Sequence, residues 1–155
     1  MPPFLVRPAV HQDLAAIERC LAAAFAAYRD RYTPAAYADT VPDLPALERR
    51  LQEMRMFVAV AEGSIIGALG AAAHGEEGHL RGMAVVPAWH GQGVSAALLQ
   101  QAETELRRLG CRYVTLDSTE PLHRARRFYR RHGYAPSGRI GDYFGMPLHE
   151  YRKTL

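Results

Sequence analysis

The chain has 155 residues, 48% of them hydrophobic and 23% charged, which is the size and balance of one ordinary globular domain spanning residues 1–155. A net charge of +3 admits anionic ligands without calling for nucleic acid. No run approaches the ~20 apolar residues that cross a bilayer, and MPPFLVRPAV at the N-terminus lacks the basic-then-apolar pattern of a secretory leader, so a cytoplasmic protein with no membrane partner is expected.

In chain order, Phe4 to Arg7 is predicted as a short strand. From Asp13, the apolar residues Leu14, Ile17, Leu21, Phe25 and Tyr28 recur every three or four positions, the period of an amphipathic helix. Pro34, Pro42 and Pro45 cut the following stretch into one or two short helices between Ala35 and Met54. Two apolar runs, Met56–Ala61 and Ser64–Ala73, flank Glu62-Gly63, a two-residue hairpin signal. A further turn leads to His79–Val86, and a loop from Pro87 to Gly93 opens the strongest predicted helix, Val94 to Leu109. Val94, Ala97, Leu98, Ala102, Leu106 and Leu109 form its expected buried stripe, with Gly110 as the C-terminal cap. A strand at Arg112–Asp117, a helix at Pro121–His132 and two strands around Ser137–Tyr143 and Met146–Leu155 complete an α+β chain. Cys20 and Cys111 fall inside the helical and strand patterns and are expected to be buried free thiols.

The segment MAVVPAWHGQGVSAALL, Met83 to Leu99, carries the chemistry. It sets a strand, a proline, a loop with Gly91 and Gly93, and a helix in direct succession. Glycines let the backbone turn sharply and leave no side chain in the way. The free N–H groups and dipole of the next helix favour a phosphate. Two glycines before a helix also suit an ordinary tight connection, so the feature alone does not decide.

His90-Gly91-Gln92-Gly93-Val94-Ser95 resembles motif A of the GNAT superfamily of N-acetyltransferases, written Arg/Gln-x-x-Gly-x-Gly/Ala. His90 replaces the usual Arg or Gln, and Ser95 replaces Gly or Ala. A second stretch, Leu122-x-x-Ala125-x-x-x-Tyr129-x-x-x-Gly133-Tyr134, resembles motif B with Leu122 in place of its asparagine. The resemblance covers nearly the whole chain. It implies one α+β domain with a central, mostly antiparallel twisted sheet of about seven strands, flanked by about four helices and with the fourth and fifth strands splayed.

The resemblance further implies acetyl transfer from acetyl-CoA to an amine in a ternary complex, with no metal. On this sequence the co-substrate would lie along Met83, Ala84 and Val85 and on the turn through His90, Gly91, Gln92, Gly93, Val94 and Ser95. Tyr129 aligns with the family's general acid, which protonates the CoA sulfur; its other reading is a core aromatic. His79 occupies the position of an acidic base in one branch of the family. An imidazole changes charge near physiological pH, but an edge-strand histidine in solvent, or a base role for Glu76, Glu77 or water, stays open. The acceptor cleft would lie between Tyr28, Arg29, Tyr32, Thr33 and Tyr37 on one side and Asp142, Tyr143 and Phe144 on the other. Arg29, Tyr32 and Tyr143 are the expected acceptor contacts, for a small-molecule amine that bears a carboxylate or a ring.

Arg124, Arg126, Arg127, Arg130 and Arg131 make one helix strongly basic. With no aromatic residues interleaved for base stacking, a solvated face that offers one or two contacts to the CoA 3′-phosphate is expected, and no nucleic-acid partner. Two rival functions remain at this level: a degenerate acyl-CoA-binding sensor, suggested by Leu122, and a basic nucleic-acid-binding domain. The resemblance leaves room for a homodimer.

Overall fold

The computed structural model describes residues 3–155. It holds one seven-stranded sheet in the order β1-β2-β3-β4-β5-β7-β6. The strands are β1 (Leu5–Pro8), β2 (Arg55–Ala61), β3 (Ser64–His74), β4 (Glu77–Val85), β5 (Tyr113–Thr119), β6 (Ala135–Tyr143) and β7 (Met146–Thr154). All neighbours pair antiparallel except β4 with β5, which run parallel. The helices are α1 (Leu14–Phe25), α2 (Pro34–Thr40), α3 (Leu44–Glu53), α4 (Val94–Arg108) and α5 (His123–Arg131).

The proline-rich stretch forms two helices rather than one, giving five in all. Thr33 and Asp43 each accept the N–H three residues ahead, from Ala36 at 3.2 Å and from Ala46 at 3.0 Å. A proline stands in the first turn of both helices, where its missing N–H costs nothing. The hairpin between β2 and β3 turns on Glu62 and Gly63, both at positive φ (50° and 76°), as a type I′ turn requires. Leu109 departs from its expected buried place and is 37% exposed, because α4 stops at Arg108 and Leu109 swings out with the cap.

Two apolar layers cover the sheet. On one face α4 and α5 enclose Leu98, Leu99, Leu106, Leu116 and Tyr129; on the other α1 and α3 enclose Leu14, Ile17, Leu21 and Leu47. A methyl group on Gly78 would come within 2.6 Å of Leu106, so α4 rests directly on the β4 backbone there. Cys20 and Cys111 are free and lie in opposite layers. Burial pushes the Cys20 thiol up to about 11, which keeps it protonated. Among the described residues no helix is long and apolar enough to cross a membrane.

One ion pair ties β1 to α1. Arg7 grips Asp13 through two hydrogen bonds of 2.7 and 2.9 Å, and Asp13 also accepts the Val10 N–H at 2.8 Å. The Arg7 bond holds the Asp13 carboxyl below its ordinary 3.8. A depressed carboxylate stabilises the fold above its unfolded pKa and loses that contribution as pH falls through the folded value. Asp13→Ala is expected to cost about 1–2 kcal/mol at pH 7, less than a fully buried pair because Arg7 is open to water. Thermal unfolding from pH 7 down to 3 checks this, and the gap to the wild type should close below about pH 4.

Candidate active site

Strand β4 pairs with β5 only from Glu77–Leu80 against Tyr113–Leu116. Beyond Leu80 the two strands diverge, and β4 keeps only β3 as a partner. The register against β3 also slips: Arg81 and Ala84 face Gly70 and Ala68, so β4 carries one extra residue. Such a bulge bends the strand, and Gly82 meets it at φ 73°. A single cavity of about 700 Å³ fills the resulting wedge, running from the start of α4 past His79 and Tyr129 to Tyr143.

At one end of the cavity stands α4. Its first bond runs from the Ala97 N–H to the Gly93 carbonyl, so the N–H groups of Val94, Ser95 and Ala96 have no helical acceptor. Gly91 and Gly93 hold φ at 74° and 83°, and a Cβ on either would meet nothing within 4 Å. The His90 ring bonds the Val85 carbonyl through Nε2 at 3.0 Å, which clamps the turn to the end of β4. Met83, Ala84, Val85, His90, Gly91, Gly93, Val94 and Ser95 all line the cavity, whereas Gln92 is exposed and outside it. Ser118 Oγ lines it too and is fully enclosed with no protein partner. The basic face of α5 divides: Arg124 and Arg131 line the cavity, Arg126 donates to the Glu120 carbonyl, and Arg130 stacks over the Tyr151 ring.

The groups able to move protons sit mid-cavity. Tyr129 projects from the last turn of α5, packed edge-on against Phe128 and Tyr134, so it belongs to the core and to the cavity wall at once. Burial pushes its phenol well above the ordinary value. His79 Nδ1 lies 2.8 Å from Thr115 Oγ1, and Thr115 in turn donates to Glu77 at 2.7 Å. With Thr115 donating to Glu77, the Nδ1 of His79 is assigned the proton. Its Nε2 is left 3.6 Å from Asp117. Burial raises the Asp117 carboxyl, against the lowering effect of His79. His79 is therefore no solvent-edge histidine. Glu77 is engaged with Thr115, and Glu76 is an exposed residue facing Arg112.

At the far end Tyr28, Tyr32 and Tyr143 line the cavity. Tyr32 shares a 2.6 Å hydrogen bond with Thr119, and Tyr143 donates to Asp39 at 2.6 Å. Arg29 does not reach the cavity. The chain leaves α1 in a 3₁₀ turn over Ala26–Arg31, whose three-residue period aims Arg29 outward, its guanidinium 5.3 Å over the Tyr37 ring. Thr33, Tyr37, Asp142 and Phe144 also stay outside. Three charged residues that the sequence pattern did not single out, Asp39, Arg50 and Arg81, complete this wall.

The acetyltransferase (GNAT) family model matches residues 17–134. The chain belongs to that family. A curated aminoglycoside N(6′)-acetyltransferase type 1 from Stenotrophomonas maltophilia is 31% identical over 125 residues, covering 67% of this chain and 80% of the relative. The PaiA N-acetyltransferase of Thermoplasma acidophilum, solved with coenzyme A, superposes with a TM-score of 0.82 at 15% identity, over 99% of both chains. The ribosomal-protein-S18-alanine N-acetyltransferase of Escherichia coli gives 0.80 at 16% identity, over 98% of this chain and 94% of that one. These last two show the fold.

This GNAT enzyme is an acetyl-CoA-dependent acyltransferase, and its cavity fits that co-substrate. Open space faces Gly91 and Gly93, and three N–H groups stand free at the α4 start. Each is a feature that an elongated, phosphate-bearing ligand satisfies. Asp117 escaped the sequence reading because a strand pattern gives no sign of where two parallel strands part. The one signal available was its spacing of two from Thr115, which puts both on one face of β5.

Proposed function

We propose that this enzyme acetylates the amine of a small molecule by direct attack, with His79 and Asp117 receiving the amine proton and Tyr129 assisting the leaving thiolate. The observation that carries the reading is the continuous cavity, which puts His79, Asp117 and Tyr129 between the α4 start and the tyrosine-lined end. The aminoglycoside acetyltransferase relative supports a small-molecule acceptor.

Acetyl-CoA supplies an activated acetyl carbonyl: a carbon–nitrogen bond forms to the amine, the carbon–sulfur bond breaks, and the thiolate departs. The chain's residues do the rest. The N–H groups of Val94, Ser95 and Ala96 and the turn at Gly91–Gly93 hold the pyrophosphate, with His90 fixing the turn. The unpaired β4 edge at Met83–Val85 positions the pantetheine arm. An ammonium ion has a pKa near 10.4 if it resembles lysine, so a base must accept its proton before attack. His79 Nε2 faces the cavity with its lone pair free, because Nδ1 is committed to Thr115. Asp117, 3.6 Å away, stabilises the imidazolium that results.

His79→Gln is expected to lower kcat/KM by about 100-fold, in the range found for a positioned base. It should also move the rising limb of the pH–rate profile towards the amine's own pKa. Asp117→Asn should shift the same limb by less. An unshifted limb in both variants would leave the proton to water.

A further inference from the structure

We infer that the acceptor amine carries a carboxylate, and that Arg50, seconded by Arg81, is its binding site; the substrate is thus of the amino-acid class rather than a polycation. This inference rests on the acetyl-transfer reading and names the substrate it would take.

Arg50 lies in the last turn of α3 and is only 9% exposed. Its single bond to the protein is from Nη2 to the Asp39 carbonyl oxygen at 2.9 Å. A guanidinium has five N–H donors, and no carboxylate among the described residues pairs with this one. The nearest, Asp39, is already taken: its Oδ2 accepts from Arg81 at 2.9 Å and from Tyr143 at 2.6 Å. Two guanidiniums thus share one carboxylate. Buried arginines are ordinarily paired, so this excess of positive charge is a deficit that a ligand can fill.

Arg50 lines the cavity, and it also borders a second hollow between α2 and α3. The two fully enclosed, unpartnered side-chain atoms among the described residues are Ser118 Oγ and Arg126 Nε, so Nε and Nη1 of Arg50, which have no protein partner, are not sealed in. Its Nη1 lies beside Gly82, 3.4 Å from where a Cβ would stand, at the bulge where β4 leaves β5. Burial first, and then the Arg81 charge, press the Arg50 guanidinium below its ordinary value, and an incoming anion relieves both.

The spacing fixes the class of molecule. His79 and Arg81 stand on one face of β4, with their Cα atoms about 7 Å apart at two residues of strand rise. An amine at His79 and an anion at Arg81 and Arg50 therefore belong to one small molecule, such as an α-amino acid or a short ω-amino acid. Tyr28 and Tyr32 wall the same end and suit an apolar or aromatic remainder. A polycationic acceptor would meet two arginines there and one carboxylate already bonded twice.

The test uses the intact protein and a panel of α- and ω-amino acids, each beside its carboxamide, with kanamycin as a polycation. Binding is read by calorimetry on the CoA-loaded protein, and turnover by acetyl-CoA-dependent thiol release. In the wild type the acids should outperform their amides by about 10- to 100-fold, as expected for a charge-assisted bond to a buried guanidinium. Arg50→Gln should collapse that ratio towards one, and Arg50→Lys should restore part of it. Because the acid-to-amide ratio is measured first on the wild type, a variant that fails to fold does not remove the test. Amides or kanamycin handled as well as the acids, or no acid bound at all, overturns the inference. Acids bound through Arg50 yet never acetylated leave the anion site standing and sink the acetyl-transfer reading; amides acetylated without acid preference do the reverse.

Discussion

Gly93→Glu is expected to bind acetyl-CoA at least about 100-fold more weakly than the wild type while remaining folded, because like charges brought together cost several kcal/mol. The new carboxylate would stand at the α4 N-terminus, where the unpaired N–H groups of Val94, Ser95 and Ala96 otherwise receive the pyrophosphate. Nothing lies within 4 Å of the Gly93 Cβ position, so the substitution has room to start without a clash and the loss falls on the ligand. A non-glycine residue at φ 83° also costs roughly 1–3 kcal/mol of backbone strain. Gly110→Glu separates the two effects, since Gly110 has φ 90° and an equally open Cβ position at the opposite end of α4. That variant should lose similar stability and keep its affinity for CoA. Calorimetry and thermal unfolding on both variants give the comparison. Unchanged CoA affinity in a folded Gly93→Glu protein would remove the turn from the site.

The second large effect is expected from Tyr129→Phe, which should lower kcat by about 100-fold and leave CoA affinity close to that of the wild type. A CoA thiol has a pKa near 8.5, and burial lifts the Tyr129 phenol well above its ordinary range. Full proton transfer from this phenol to the thiolate is therefore uphill. What the hydroxyl gives is a hydrogen bond that strengthens as negative charge grows on sulfur, which places the effect at the low end for a catalytic acid. The ring itself is core, packed against Phe128 and Tyr134, so the phenylalanine variant preserves the packing and isolates the oxygen. Single-turnover kinetics with a saturating amine measure it. Full activity would make Tyr129 a packing residue.

Much of the fold was legible because its signals are local. The Glu62-Gly63 turn, the prolines that break the stretch after α1, and the apolar stripe of α4 each name their structure within a few residues. The turn ahead of α4 was legible for the same reason: the turn and the helix it opens are contiguous in sequence. The far end of the cavity was legible only in part. Tyr32 and Tyr143, singled out from the sequence, line it, but Asp39, Arg50 and Arg81 come from α2, α3 and β4, and no spacing along the chain announces that they meet there. Arg29 shows the converse error. It extends the register of α1 by one turn, but the change from an α-helix to a 3₁₀ turn rotates it away from the cleft. The approach of His79 to Asp117 leaves no sign along the chain, since it depends on β4 and β5 lying parallel and then parting.

Acetyl transfer to an amine within one cavity is tested by following both products in one reaction. The wild-type protein is mixed with acetyl-CoA and the amine panel, free thiol is recorded, and the acetylated amine is identified by mass spectrometry. Thiol and acetylamine should appear in equal amounts, with both lost together in Gly93→Glu and slowed together in Tyr129→Phe. Tight CoA binding with thiol release at the background rate for every amine would contradict it and leave an acyl-CoA-binding module in its place.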